Sequence, residues 1–93
     1  MAKPRGFGKH GRPTYNQAKK IVGKFGNESE AAGIFGVSRI TIYRWQYGRP
    51  YGTDGLIPGH MIERVQRAAR LHGVVLTDAD WRPERIDYET EGA

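Results

Sequence analysis

The sequence predicts an all-α fold, a compact bundle of four to five helices. Apolar residues recur at helical spacing in several short segments, which is the first observation behind this prediction. The second is that polar residues suited to capping a helix precede these segments and glycines follow them. The length of 93 residues allows one domain with a small core.

The charge of the chain is unevenly distributed. Residues 1–27 carry seven basic and no acidic side chains, whereas residues 77–93 carry six acidic and two basic ones. Residues 1–13, rich in Gly, Lys, Arg and Pro, are predicted to be a flexible, disordered basic arm. Residues 14–83 form the predicted domain, and residues 84–93 a flexible acidic tail. A basic end attracts polyanions, although a merely solvated surface explains the charge equally well.

Composition and motifs exclude several classes of protein. The chain has no cysteine, hence no disulfide and no thiolate for zinc, and we expect a reducing compartment such as the cytoplasm. Its histidines, His10, His60 and His72, lack metal-ligand spacing, so we expect neither a metal nor a cofactor. Apolar runs such as residues 74–76 are far too short to span a bilayer. No catalytic triad or Gly-rich phosphate loop stands out, and we expect no enzymatic activity.

The first helix is predicted to begin after Thr14, a suitable N-cap, and to end at Gly26. The apolar residues at helical spacing between them are Tyr15, Ala18, Val22 and Phe25. Gln17, Lys20 and Lys24 fall on the opposite, polar face.

The second and third helices follow closely. Asn27 opens the second, with Glu30 placed to close a capping box, and Gly36 ends it after about two turns. Ser38 caps the third helix, which fades at residues 48–50. The inward-facing residues of these two helices are Ala31, Ala32, Phe35, Ile42 and Trp45.

A loop is predicted over residues 49–59, where a short hairpin is one alternative. Its turn residues are Gly52, Asp54, Gly55 and Pro58, the last of which fits the first turn of a fourth helix. The apolar stripe of that helix consists of Met61, Ile62, Val65 and Ala69. It ends at Gly73, and Thr77 caps one further turn through Asp80. From Arg82 onward we expect a loosely ordered chain.

Residues 27–47 carry the side chains that a helix-turn-helix requires. These side chains are Ala32, Gly36, Val37, Ser38, Ile42 and Trp45. Ala32 is a small residue where the two helices touch, and Gly36 tolerates the positive φ that the turn needs. Val37 fills the space beneath the turn, Ser38 caps the second helix, and Ile42 and Trp45 anchor that helix in the core. The opposite face of that second helix is left free to contact a partner.

This free face, within residues 39–47, is predicted to read DNA bases in the major groove. The residues that lie away from Ile42 at about 100° per residue are Ile40, Tyr43, Arg44 and Tyr47. An exposed Ile beside two Tyr is unusual for a solvated face. The alternative to DNA contact is that the arginines are merely solvated and the tyrosines are partly packed. Arginine binds guanine O6 and N7, and an Ile side chain contacts a thymine methyl. The predicted base-reading residues are Arg39, Ile40, Tyr43 and Arg44.

Further side chains are candidates for contacts with the DNA backbone, because hydroxyl, amide and basic groups suit phosphate oxygens. These candidates are Asn27, Ser29, Ser38, Thr41, Tyr47, Arg49, Lys19 and Lys20. For the two lysines, a solvated helix face is the alternative. The basic side chains of the arm are Lys3, Arg5, Lys9 and Arg12. They either follow the minor groove or belong to an inert tail.

The motif within residues 32–45 resembles the lambda-repressor/Cro superfamily of helix-turn-helix proteins. The similarity continues through residues 56–58, 61–71 and 76–84, where the chain resembles small Cro-like proteins and YdaS-type antitoxins of prophages. It covers residues 14–84. The resemblance implies a helical bundle and a homodimeric repressor, of phage or prophage type, that binds double-stranded DNA at a palindromic operator in the bacterial cytoplasm or nucleoid.

Two alternatives to a simple repressor stay open. In a protein-interaction module, the surface of Ile40, Tyr43 and Tyr47 would bind a protein, such as a toxin or a polymerase subunit. An antitoxin of a toxin–antitoxin pair would bind both a protein and DNA. The interleaving of Arg39 and Arg44 with these apolar residues favours DNA.

Overall fold

Five α-helices form the described part of the chain, residues 12–86, in a computed structural model. In chain order they are α1 (Gln17–Lys24), α2 (Glu28–Phe35), α3 (Arg39–Trp45), α4 (Gly59–His72) and α5 (Asp78–Trp81). The β pairing within these residues is an isolated bridge between Tyr15 and Arg85, so the predicted all-α class is confirmed. The longest of these helices has 14 residues, and none within residues 12–86 has the length and apolarity needed to cross a membrane.

The core lies between the first four helices. Its largest fully buried side chains are Phe35, Ile21, Ile42, Val22 and Val65. Phe35 contacts two other aromatic rings: the Phe25 ring edge-on at 4.7 Å between centroids, and the Trp45 ring stacked at 6.0 Å. Both are favourable arrangements of aromatic pairs. Phe35 therefore ties α2 to α3 and to the end of α1.

Most helix ends follow the predicted capping residues. Gly36 and Gly73 adopt the left-handed conformation, with φ of 74° and 67°, where α2 and α4 end. Asn27, Ser38 and Thr77 each accept a backbone N–H from the first turn of the helix that follows. These caps are confirmed, and each depends on residues within one helical turn. The capping box predicted for Asn27 and Glu30 forms only in part, because Asn27 accepts the Glu30 N–H without a return bond to the Glu30 side chain.

The predicted N-cap of α1 at Thr14 is wrong. The helix begins at Gln17, and Thr14 instead donates its backbone N–H to Asp54 Oδ1 at 2.8 Å. The Tyr15 N–H donates to the Asp54 carbonyl at 3.1 Å. Pairing with a distant loop thus takes the place of a local cap. Gly26 lies just beyond the C-cap residue of α1, with φ of 116°.

The α3–α4 loop, residues 46–58, turns at Asp54-Gly55 but forms no hairpin. Both turn residues have positive φ, 63° and 85°. Thr53 and Leu56 bond across the turn, since the Leu56 N–H donates to the Thr53 carbonyl at 3.1 Å. The Thr53 and Asp54 N–H groups instead donate to the Arg44 and Tyr47 carbonyls, and no strands form within residues 46–58. Pro58 lies at the N-cap of α4, one residue before the predicted first turn.

The segment after α5, residues 84–86, pairs with the chain just before α1. The Asn16 N–H donates to the Glu84 carbonyl at 3.0 Å, and the Ile86 N–H donates to the Thr14 carbonyl at 2.8 Å. The expectation of a loosely ordered chain from Arg82 onward is therefore wrong for this segment. Sequence patterns of a single helix carry no information about such long-range backbone pairing.

Lys20 fastens α1 to α5. Its ammonium donates to the carbonyls of Ala79 at 2.7 Å and Arg82 at 3.1 Å, and to Glu84 Oε1 at 3.3 Å. Carbonyls at the end of a helix are favourable partners for a cation. Lys20, a predicted phosphate contact, thus has a structural role in the fold.

Asp80 is a buried carboxylate on α5. Its Oδ2 accepts the Thr77 backbone N–H at 2.9 Å and lies 3.5 Å from the Lys24 ammonium. The backbone hydrogen bond from Thr77 is the main cause that lowers the pKa of Asp80 from its usual value. Burial opposes this shift, and the charge of Lys24 adds to it.

Acidification is expected to destabilise the fold through Asp80. Because its folded-state pKa lies below the unfolded value of about 3.9, the carboxylate stabilises the fold above that value. This stabilisation is lost as the pH falls through the folded-state pKa. We expect Asp80→Asn to flatten the fall of the unfolding temperature between about pH 5 and pH 2.

Thermal unfolding followed by circular dichroism measures this effect. The matched control is Asp78→Asn, which removes an exposed carboxylate from the first turn of the same helix and leaves Asp80 and its bonds to Thr77 in place. An unfolding temperature that falls with pH as steeply in Asp80→Asn as in the wild type would contradict the prediction.

Candidate nucleic-acid interface

A turn of three residues, 36–38, connects α2 to α3. The N–H groups of Gly36 and Val37 both donate to the Ala32 carbonyl, at 2.9 Å and 3.0 Å. Gly36 has the positive φ that the sequence predicts for it, and Ala32 is buried, as expected for a small residue between two helices. Val37 is half-buried, and its side chain packs the turn against the core.

The inner and outer faces of α3 follow the predicted rotation. Ile42 is fully buried and Trp45 nearly so, and both belong to the core. On the other side, Ile40 is 57% exposed and Arg44 is exposed. Tyr43 is half-buried. The helix itself ends with Trp45, earlier than the predicted residue 47.

The beginning of α3 is linked to α2 through Arg39. Its Nη1 donates to Ser29 Oγ at 3.3 Å, and both side chains are exposed. The Ser38 side chain accepts the Thr41 N–H at 3.1 Å, and the Ser38 and Thr41 hydroxyls lie 3.0 Å apart. The first turn of α3 and the second residue of α2 therefore share one polar surface.

Arg44 lies against the α3–α4 loop. Its Nε donates to the Tyr51 carbonyl at 3.2 Å, and its guanidinium carbon lies 5.0 Å from the centroid of the Tyr51 ring. This distance is within the range of a cation–π interaction. Tyr51 is a surface residue that was not among the predicted contacts. An aromatic residue between Pro50 and Gly52 was the available signal, but the position of the loop was not predictable.

Tyr47 lies just after α3 and packs beside Tyr51, with ring centroids 5.3 Å apart. Burial is the main cause that raises the pKa of Tyr47, and the neighbouring phenols of Tyr51 and Tyr43 add to it. The end of α3 thus carries a cluster of tyrosines beside one arginine.

Backbone hydrogen bonds hold the loop over the end of α3. The Thr53 N–H donates to the Arg44 carbonyl at 3.1 Å, and the Asp54 N–H donates to the Tyr47 carbonyl at 2.7 Å. Gly52 lies so close that an added Cβ would be 2.0 Å from the Arg44 carbonyl oxygen. The last carbonyls of a helix lack partners within it, and here the loop supplies them.

The remaining predicted contact residues are dispersed. Asn27 is exposed, and its Oδ1 accepts the Glu30 N–H at 2.9 Å as the cap of α2. Lys19, Arg49 and Arg12 are exposed. The other predicted arm residues, Lys3, Arg5 and Lys9, lie outside the described residues.

No family model, curated protein or solved structure matches the chain.

The α3 surface combines two exposed arginines, an exposed isoleucine and polar hydroxyls. Within residues 12–86, no group of three or more His, Cys, Asp or Glu side chains is arranged to hold a metal ion. The interactions that this surface offers are hydrogen bonds, positive charge and apolar contact. These are the means by which proteins recognise base edges and phosphates.

Proposed function

We propose that the protein is a sequence-specific regulator of transcription that binds double-stranded DNA through α2 and α3, acting as a helix-turn-helix within a compact bundle. One observation carries the proposal: α3 is anchored by Ile42 and Trp45, while Arg39, Ile40 and Arg44 are exposed on its other side. A helix anchored in this way presents fixed side chains to the major groove. The short turn and the capped start of α3 support the same interpretation.

The exposed residues suit base recognition. Each arginine can donate to O6 and N7 of a guanine, and Ile40 can contact a thymine methyl. Ser29, bonded to Arg39, and Tyr47 are suited to phosphate oxygens, which set the orientation of the protein on the duplex. Residues 1–27 carry seven basic and no acidic side chains, of which Lys20 and Lys24 are paired with Glu84 and Asp80. The others add attraction to the DNA backbone.

The proposed regulator is a cytoplasmic, phage-type repressor of the Cro-like kind that binds a palindromic operator as a homodimer. A dimer places one α3 in each of two successive major grooves. The half-sites would then lie about 34 Å apart, one turn of DNA. The support for a dimer is the resemblance in residues 14–84.

A second candidate function is that of an antitoxin, which binds a protein partner as well as DNA. Leu71 and Val75, near the end of α4, are 77% and 75% exposed, and such large apolar side chains suit a protein contact. A copurified partner that protects both residues from solvent would favour this function over a simple repressor.

Selection of bound sites from a random duplex pool tests the proposal directly. We expect enrichment of a two-fold symmetric sequence whose half-sites are separated by one helical turn. Enrichment of no sequence by the wild-type chain would overturn the proposal. The same selection gives the number of half-sites and the spacing between them.

Replacing Arg44 with alanine is expected to cost about 1–3 kcal/mol in binding to the selected site and to relax the preference at one base pair. The loss arises because the bidentate contact with a guanine disappears. Electrophoretic mobility shifts on single-base variants of the site measure it. Arg70→Ala is the matched control, because it removes an equal charge from an exposed position at the end of α4. An equal loss on every duplex sequence would contradict base reading by Arg44.

A further inference from the structure

The guanidinium of Arg44 is held in one orientation by residues of its own chain. Its Nε donates to the Tyr51 carbonyl at 3.2 Å, and the Tyr51 ring lies against the guanidinium carbon at 5.0 Å. The hydrogen bond fixes the position of the guanidinium along the helix, and the Tyr51 ring covers one face of the guanidinium. An exposed arginine without such contacts samples many rotamers.

Tyr51 is itself fixed by the packing of the α3–α4 loop. Its ring packs against that of Tyr47 at 5.3 Å, and the next residue, Gly52, lies directly against the Arg44 carbonyl. The Gly52 N–H also donates to the Gly48 carbonyl at 2.9 Å. The backbone of the loop therefore sets the place of the Tyr51 ring.

This arrangement leaves a defined part of Arg44 available. Among residues 12–86, its hydrogen bond to protein comes from Nε, and the terminal Nη1 and Nη2 groups have no hydrogen-bond partner. Two terminal amino groups held in one plane match the spacing of guanine O6 and N7. Because the side chain is already ordered, less conformational entropy is lost when it binds.

We propose that Tyr51 is a specificity-determining positioning residue, whose ring orients the Arg44 guanidinium for end-on recognition of a guanine. The inference rests on the proposed function and deepens it, since it assigns the discrimination at one base pair to a residue outside α3. Tyr51 contributes through Arg44 rather than through a base contact of its own. The Tyr51 hydroxyl takes no part, because only the face of the ring meets the guanidinium.

The test uses the full chain and the site selected from random duplexes. The base pair read by Arg44 is first identified as the pair whose preference disappears in Arg44→Ala. Affinities of the wild type, Tyr51→Ala and Tyr51→Phe are then measured for the selected site and for every single-base variant of it. The backbone carbonyl that binds Nε is present in all three, so the comparison isolates the ring.

We expect Tyr51→Ala to reduce discrimination at that one base pair about tenfold and to preserve it elsewhere. Tyr51→Phe should behave as the wild type. In an Arg44→Ala background, Tyr51→Ala should cause no further loss at that pair, because the two residues act as a unit. Circular dichroism of each variant shows whether the helices are retained.

Three results for Tyr51→Ala would overturn this inference and leave the proposed function standing. They are unchanged discrimination at that base pair, an equal loss of affinity for all sequences, and tighter binding of the selected site. Tighter binding would mean that Tyr51 withholds Arg44 from DNA rather than presenting it. A wild-type chain that prefers no duplex sequence would overturn the proposed function, and this inference would fall with it.

Discussion

Replacing Phe35 with alanine is expected to destabilise the protein by about 3–5 kcal/mol. Phe35 is only 2% exposed, and its ring contacts those of Phe25 and Trp45. Its removal leaves a cavity where α1, α2 and α3 meet, and two aromatic contacts are lost with it. A small domain has a total stability of about 5–15 kcal/mol, so the variant loses a large share of it.

Chemical denaturation followed by circular dichroism or tryptophan fluorescence measures the loss. The matched control is Leu71→Ala, which shortens a side chain that is 77% exposed and should change stability by less than about 0.5 kcal/mol. Similar losses in the two variants would show that the core does not centre on Phe35.

Replacing Gly52 with alanine is expected to displace the α3–α4 loop from the end of α3. The added Cβ would lie 2.0 Å from the Arg44 carbonyl oxygen and 2.6 Å from the Tyr47 carbonyl oxygen. Both are backbone atoms, so no side-chain rotation relieves the overlap and the loop itself must move. We expect a cost at or above the upper end of the range of about 1–3 kcal/mol for overpacking. The proposed binding to DNA should weaken as well, because Tyr51 moves with the loop.

Gly23→Ala provides the comparison. Gly23 lies in α1 with nothing within 4 Å of an added Cβ, and alanine is the better helix former there. We expect this variant to gain about 0.5–1 kcal/mol in stability and to bind DNA as the wild type does. Wild-type stability and wild-type binding in Gly52→Ala would show that the close approach of the loop is unimportant.

The parts of the fold that depend on neighbouring residues were predictable. Gly36 and Ser38 define the turn between α2 and α3 through their own backbone conformation and hydrogen bonds. Thr14 shows where this reasoning fails, because its N–H is bound by Asp54, a residue 40 positions away. Residues 84–86 were missed for the same reason, since they bond to the chain before α1.

The candidate site was predictable from the inward residues of α3. Once Ile42 and Trp45 are placed in the core, helical geometry alone puts Ile40 and Arg44 on the opposite side. Tyr51 was not predictable, because its position depends on how the α3–α4 loop folds back. The contact of Lys20 with α5 likewise needs the tertiary arrangement, and a helical projection shows it only as part of a polar face.

The bonds between α1 and the end of the domain have a consequence for synthesis on the ribosome. The Gln17 side chain binds the Trp81 carbonyl, 64 residues later, and the pairing of residues 14–16 with residues 84–86 comes later still. The hydrogen bonds of the α2–α3 turn join residues within 32–42, and these residues leave the exit tunnel before residues 81–86 do. A nascent chain can therefore form the α2–α3 turn before the bonds that join α1 and the residues before it to residues 81–86 become available.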